Sequence, residues 1–466
     1  MGFVFSVLYF ITNYLTPPVL FGSLAGARIE LIIAVLVFFL SLPKLQGSLI
    51  LKTFQSLALI GLLLAAFMSV LVGQRWAGGA VNTLAGFLPM VCGYFFVCLH
   101  CNSKKKLQVL VLMLLFVCLF VIANGCIELR YGGQESVHKL PTDAYSANAQ
   151  AWQVEHPYLL PKPNDREEPN RLKGLGLIND PNDFGQLVVC VIPLVFVFWR
   201  AKNILFNIVC VILPVCALLF GLYLTHSRGA LLAVVAVAVV ALRRRMGTLP
   251  ALLIAGGVFA AAMALNFTGG RDISVDSGVD REELWSESLQ ALKSHPLFGI
   301  GAGSLEDYTE SHHTAHNSVA VCAAELGFFG LYFWSLFLFP SMRDALVIAS
   351  PAKVSKGELI VPEEDLLPQA VRKAETLDKA EVNRLGHLLV LSFTGLLVAG
   401  WFLSRAFAMA FFMLGGMVEV VYEMALQRGM VAPRLRLARV LPYTFILAIS
   451  LLLVLYIMLR TMNLMR

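Results

Sequence analysis

The chain has 466 residues, of which 58% are hydrophobic and only 14% charged, where a soluble domain carries about a quarter charged residues. That excludes a soluble globular enzyme; with repeated apolar runs of about 20 residues, it defines an all-α polytopic membrane protein. The net charge of +6 is not a nucleic-acid footprint, because the basic residues cluster in short connections such as Lys104–Lys106 and Arg243–Arg245, where membrane orientation accounts for them.

Candidate spans run over 4–24 (broken by Pro17-Pro18), 29–43, 49–72, 78–99, 107–126, 184–199, 204–224, 229–242, 249–266, 316–340, 387–404, 406–425 and 440–460. If every one crosses, Lys104–Lys106, Arg200 with Lys202, Arg243–Arg245 and Arg428, Arg434, Arg436 and Arg439 share one side with the N-terminus. The positive-inside rule makes that side cytoplasmic. The chain then divides into N-terminal spans (1–126), an outer loop (127–183), central spans (184–266), a second outer loop (267–315), a span (316–342), a charged inner loop (343–386) and C-terminal spans (387–466). The last crossing would leave Arg460 and Arg466 outside, so about 12–13 helices are expected, one of them re-entrant or merged if the number is twelve. The outer loops carry amphipathic helical pattern, clearest at 280–293, where Leu284, Trp285, Leu289 and Leu292 fall on one face that would lie on the membrane. The inner loop, with Lys353, Lys356, Glu363, Glu364, Asp365, Arg372, Lys373 and Glu381, reads as a solvated loop with a short helix.

Met1-Gly2 with Ser6 fits a myristoylation pattern but opens an apolar span, and no basic n-region or cleavage site marks a removable signal. Seven of the nine cysteines sit in apolar runs and neither outer loop contains one, so no disulfide framework is expected. Cys98, His100 and Cys101 lack two further ligands for a metal.

Chemistry-bearing residues gather on the outer side. Arg171 and Lys173 precede Asn179-Asp180-Pro181-Asn182-Asp183, a turn in which Asn182 or Asp183 is placed to cap the next span. Arg228, in Thr225-His226-Ser227-Arg228-Gly229, stands between two apolar runs with no acid beside it. A guanidinium there either anchors to lipid headgroups or holds a bound anion, and its planar fork suits phosphate. Arg75 and Arg281 sit at comparable depth.

In the second outer loop the amphipathic helix ends at His295-Pro296. Gly299-Ile300-Gly301-Ala302-Gly303 follows, without the strand or the Gly-Lys-Ser/Thr of a nucleotide cradle, and reads as a tight turn. His312 and His316 would share a helix face, but position 313 is His where a metalloprotease needs Glu, so no metal is expected. His316 instead suits a general base at the mouth of a span, or a simple helix cap before Asn317. Ala320, Ala323, Ala324, Gly327 and Gly330 give a small-residue stripe, with Glu325 expected to pair inside the bundle.

Ser227-Arg228-Gly229, the pattern Arg281-x3-Trp285-x10-Pro296-Leu297-Phe298-Gly299-Ile300-Gly301, and His316-Asn317 with Glu325-Leu326-Gly327-x2-Gly330-Leu331 together resemble the O-antigen ligase and O-antigen polymerase superfamily of bacterial inner-membrane glycan transferases. Arg171 before Asp180-Pro181-Asn182 is similar to that family's preceding loop. The resemblance covers about 170–331. It implies a multi-pass inner-membrane enzyme with its active site facing the periplasm. The donor would be a glycan on undecaprenyl diphosphate, and the acceptor a hydroxyl of lipid A–core, of a growing glycan or of a protein. It implies no cofactor, no nucleotide sugar and no metal. His316, Arg281 and Arg228 would be catalytic, with Arg171, Lys173, His313, His312 and Arg75 binding substrate. A ligase is favoured; a polymerase or protein oligosaccharyltransferase is the alternative within the superfamily. From another class, a lipid or solute transporter would instead show inverted repeats and midplane charges.

Overall fold

The structure, a computed structural model, describes residues 1–24, 27–45, 53–131, 156–160, 170–267, 275–350, 369–431 and 434–464. Helix α1 (Gly2–Leu15) stops at Thr16, whose left-handed backbone (φ 43°) precedes Pro17-Pro18. Then come α2 (Ile29–Leu45), α3 (Phe54–Met68), α4 (Ala77–His100) and α5 (Lys104–Tyr131). Strands β1 (Leu159–Leu160) and β2 (Arg171–Leu172) form a short antiparallel ladder with Leu159 opposite Leu172. Next are α6 (Pro181–Val195), α7 (Leu213–Thr225), α8 (Arg228–Met246), α9 (Thr248–Ala264), α10 (Val275–Ser294), α11 (Ser318–Ala349), α12 (Gln369–Gly400), α13 (Met409–Gln427) and α14 (Leu437–Leu464).

The described part of each apolar run read as a span is largely helical, and among the described residues nine helices are long and apolar enough to cross a membrane. The chain is an all-α polytopic membrane protein. Helices α6, α11 and α13 are largely enclosed, whereas α2, α9 and α14 turn Ile32, Phe39, Leu253 and Leu453 outward. Apolar side chains can face outward in this way because lipid, not water, is the surrounding solvent.

Polar contacts sort to two ends of the bundle. At the first end Ser69 meets Ala302, Thr314 meets Ser404, His226 meets Phe267 and Arg405 meets Asp183. At the second, Lys104 meets Glu381, Arg384 reaches the carbonyl of Trp199, Arg244 meets His387, and Arg434 joins Glu419 and Asp344. Lys104, Arg244, Arg384 and Arg434 thus share the second end. Leu455 and Leu459 of α14 pack with Trp285 and Ile300, so Arg460 comes to the first end, as the last crossing requires.

Helix α11 is the element that shapes the first end. Its 32 residues would be about 48 Å long, well over the roughly 30 Å of a bilayer core. It is broken at Gly327 (φ 66°, ψ −170°), and the part beyond the break suffices to span. The loop 296–301 fills the break. The amides of Ile300 and Gly301 donate to the carbonyls of Ala324 and Glu325 (3.0 and 3.1 Å), and those of Phe328 and Phe329 donate to Pro296 and Leu297 (2.9 and 3.1 Å). Backbone freed by the break is thereby satisfied, as a membrane environment demands. The approach needs glycine on both sides: a Cβ at Gly327 would lie 2.4 Å from the Leu297 oxygen, and one at Gly299 2.3 Å from that of Glu325. The glycine turn and the small-residue stripe, read separately from the sequence, are therefore two halves of one joint. Glu325 is buried, with its carboxyl toward the backbone amides of Gly303 and Leu305.

Two expectations change. The cap of α6 is Asp180, whose side chain accepts from the Asn182 amide (2.7 Å), not Asn182 or Asp183. The apolar face of α10 is covered by protein, Trp285 and Ala291 packing with α11 and α14, so this face does not lie on lipid. The described residues of the first outer loop include the end of α5, the β1–β2 ladder and the turn that leads into α6. Lys353, Lys356, Glu363, Glu364, Asp365 and Arg466 lie outside the described residues, whereas Glu381 belongs to α12.

Candidate functional site

The α7–α8 turn is tightly built. Thr225 closes α7 with its hydroxyl on the Leu222 carbonyl (2.7 Å). His226 turns left-handed (φ 48°), and its Nδ1 meets the Phe267 carbonyl at 2.8 Å, fixing the end of α9. Ser227 caps α8, which leaves Arg228 as the first residue of a 19-residue helix. A guanidinium at a helix N-terminus adds to the dipole's positive end instead of offsetting it, so the position favours an anion.

Arg171, leaving β2, donates through Nε to the Thr225 carbonyl (2.9 Å) and through Nη2 to Asn182 Oδ1 (3.1 Å). It fastens the Arg228 turn to the start of α6. Lys173 is buried, and its Nζ donates to Asn179 Oδ1 at 2.8 Å. Burial lowers its pKa, with Asp180 and Glu128 opposing. Its ammonium holds the 173–179 loop together and is turned away from solvent.

Arg281 and Trp285 are one turn apart on α10 and so share a face. The Trp285 indole donates to the Ala315 carbonyl (2.8 Å) and meets Trp401 edge-on (6.5 Å). This places Arg281 beside His316, the next residue after Ala315. Burial first, and then the Arg281 guanidinium, lowers the His316 pKa; Asp180 opposes this and His313 adds to it. Burial and Arg281 together thus favour the neutral imidazole at His316, with Asp180 of the α6 cap opposing. The His316 backbone is left-handed (φ 47°), and Asn317 caps α11 through the amides of Val319 and Ala320.

The segment 401–405, between α12 and α13, joins these parts. Phe402 sits against Gly229, where a Cβ would come within 2.9 Å of Phe402 Cβ, and its ring lies 5.9 Å from the Arg281 guanidinium carbon. Arg228's neighbour and Arg281 thus share one aromatic ring, worth roughly 0.5–1 kcal/mol where exposed. Ser404 receives the His316 amide (2.8 Å), Trp401 and Leu403 carbonyls accept from Asn317 and Ser318, and Arg405 pairs with the buried Asp183. The sequence reading missed Phe402 and Ser404 because it ran a span to 404 across them, and it left Arg405 as the single residue between two spans. The signal was Ser404-Arg405, a second Ser-Arg pair at the outer end of a span.

The structure thus joins Arg171, Arg228, Arg281 and His316 through shared neighbours at one mouth. His312 and His313 are exposed on the preceding loop, their Nδ1 atoms on the carbonyls of Glu306 and Ser311. His312 (φ 54°) and His316 both precede α11, so they do not share a helix face. Among the described residues no cluster of His, Cys, Asp and Glu is arranged to hold a metal ion. Arg75 is exposed and left-handed (φ 55°) beside Gln74, which bonds Ser304 on the glycine turn.

Fold and site together define a multi-pass membrane protein with guanidinium groups, helix N-termini and a neutral imidazole gathered at one end of the bundle. Residues 213–335 match the family model described as O-antigen ligase, which supports the O-antigen ligase and polymerase superfamily, a glycan-transferring family. The matched segment runs from α7 into α11 and includes Arg228, Arg281 and His316. No curated protein matches the chain.

Proposed function

We propose that the protein transfers a glycan from undecaprenyl diphosphate to an acceptor hydroxyl at the periplasmic face of the bacterial inner membrane, most simply as an O-antigen ligase acting on lipid A–core. The acceptor oxygen attacks the anomeric carbon, the bond from that carbon to the diphosphate oxygen breaks, and the lipid diphosphate departs with the bonding pair. Arg228, at the head of α8, and Arg281 meet the charge that develops on it. Arg171 holds the Arg228 turn in place, and His316 takes the hydroxyl proton. A single displacement of this kind inverts the anomeric centre.

The observation that carries the reading is the Trp285–Ala315 bond that brings Arg281 of α10 to the head of α11 beside His316, whose pKa burial and Arg281 lower. A base that works near neutrality must be unprotonated, and a lipid diphosphate needs fixed positive charge within reach of that base. The test uses pure protein in detergent with a polyprenyl-diphosphate glycan, and lipid A–core, a free glycan or a hydroxyl-bearing peptide as acceptor. Transfer to lipid A–core is expected, and a fall of about 100-fold or more in Arg228→Ala, Arg281→Ala and His316→Ala. Activity kept by two of these variants would discard the site, and transfer to another acceptor alone would discard the ligase.

A further inference from the structure

Nothing in the residues' chemistry explains why His316 sits in a backbone conformation that an L-residue adopts at a cost of about 1–2 kcal/mol. The surroundings do. On its N-terminal side the Ala315 carbonyl is held by Trp285, and on its C-terminal side Asn317 is tied to the Trp401 carbonyl. The His316 amide itself ends on Ser404 Oγ at 2.8 Å, and the same hydroxyl bonds Thr314 Oγ1. One side chain from the α12–α13 connection therefore grips the chain both at His316 and two residues before it. Its own segment is anchored elsewhere, by Arg405 on Asp183 and by Ser318 on the Leu403 carbonyl.

We infer that Ser404 is a positioning residue for His316, holding the strained backbone so that the imidazole stays in the mouth beside Arg281. The inference deepens the transferase reading and rests on it for its effect on rate. Ser404 acts through the peptide amide and touches neither substrate nor imidazole. The charged and titratable groups facing His316 are Arg281 from α10, Asp180 from the start of α6 and His313 from its own loop. Without the hydroxyl, the amide loses its acceptor and the backbone can relax to an ordinary conformation. The imidazole then leaves the enclosed position beside Arg281.

The experiment compares Ser404→Ala and Ser404→Thr in the full-length protein. In Ser404→Ala, kcat is expected to fall roughly 10- to 100-fold, as misplacement of a reacting group by about 1 Å does, with the donor KM changed less than threefold. Ser404→Thr, which keeps the hydroxyl, should restore most of the rate. The His316 imidazole, followed by NMR in histidine-labelled protein against a His316→Gln reference, should titrate at higher pH in Ser404→Ala than in wild type. An unchanged titration overturns the inference whatever the rate does. Equal losses in the Ala and Thr variants overturn it too, since packing alone would then be at fault. If wild type shows no glycan transfer but the titration still moves, the positioning role of Ser404 stands and the transferase reading is what fails.

Discussion

The Trp285 indole donates to the carbonyl of Ala315, which fastens α10 one residue ahead of His316. Through this bond a helix of the outer loop carries Arg281 to the head of α11. Replacement by phenylalanine keeps most of the aromatic packing but leaves the carbonyl of the fully buried Ala315 without its donor. A destabilisation of roughly 1–3 kcal/mol is expected. Because Arg281 loses its fixed placement, the transfer rate should fall by more than stability does, about 10- to 100-fold. Thermal unfolding in detergent and turnover on the same preparation separate the two. An unaltered rate would show that Arg281 does not depend on Trp285.

The lowered pKa of His316 gives a direction for pH dependence. Burial and Arg281 disfavour the imidazolium in the folded protein. The base is therefore neutral through the ordinary histidine range near 6.5, and the rate should be flat across neutrality. It should fall only as the pH drops through the lowered folded value. The linkage has the same sign: on acidification the unfolded chain takes up this proton first. His316's contribution to stability is thus complete above the unfolded pKa and is lost as pH falls to the folded one. Arg281→Gln removes one of the two main causes and should move the titration up, part of the way back. Since that variant is expected to be nearly inactive, the imidazole resonance is the readout. A titration that stays put would mean that burial alone sets the value.

How much of this was legible in the sequence depends on the range of the physics involved. Apolar runs and the Arg281–Trp285 spacing are local and map onto helices, whereas the basic groups Lys104–Lys106 and Arg243–Arg245 fall in helix end turns and not in connections. The cap of α6 was misplaced by two or three residues because Asp180, Asn182 and Asp183 are all competent caps, and only the chain path picks Asp180. The joint between Gly299 and Gly327 was visible only as two unrelated glycine patterns, since nothing local says that one backbone threads the break in another. Ser404 was invisible for the same reason: it lies 88 residues from His316, and its hydroxyl resembles any other at the end of a span. The Asn317 that follows it could rank His316 above His312 and His313, but it took the fold to show the latter two exposed.

Gly327 tests the joint directly. Alanine there must adopt φ near 66° and put its Cβ 2.4 Å from the Leu297 oxygen, so either the loop 296–301 leaves the break or α11 straightens. If the loop leaves, the carbonyls of Ala324 and Glu325 and the amides of Phe328 and Phe329 lose their partners; if α11 straightens, those groups pair within the helix and the Ile300 and Gly301 amides of the loop are stranded instead. A loss of more than about 3 kcal/mol is expected, seen as poor yield or a much lower unfolding temperature. Gly256→Ala on α9, where a Cβ meets nothing within 4 Å, is the matched control and should be neutral or slightly stabilising. Equal behaviour of the two variants would remove the joint as a structural requirement.

Orientation follows from the two ends of the bundle. His313 and Arg75 are exposed at the end that carries Arg281 and His316, while Lys105 and Arg428 are exposed at the other. The basic clusters Lys104–Lys106 and Arg243–Arg245 lie at that second end, and the positive-inside rule predicts that it faces the cytoplasm. In a cysteine-free background, His313→Cys and Arg75→Cys should react with a membrane-impermeant maleimide on cells with a permeabilised outer membrane. Lys105→Cys and Arg428→Cys should react only after the inner membrane is opened as well. Each pair comes from separate stretches of chain, so a single misplaced helix would split a pair instead of inverting both. Full inversion would put the imidazole and the guanidinium groups on the cytoplasmic side, where a glycan already carried across the membrane could not reach them.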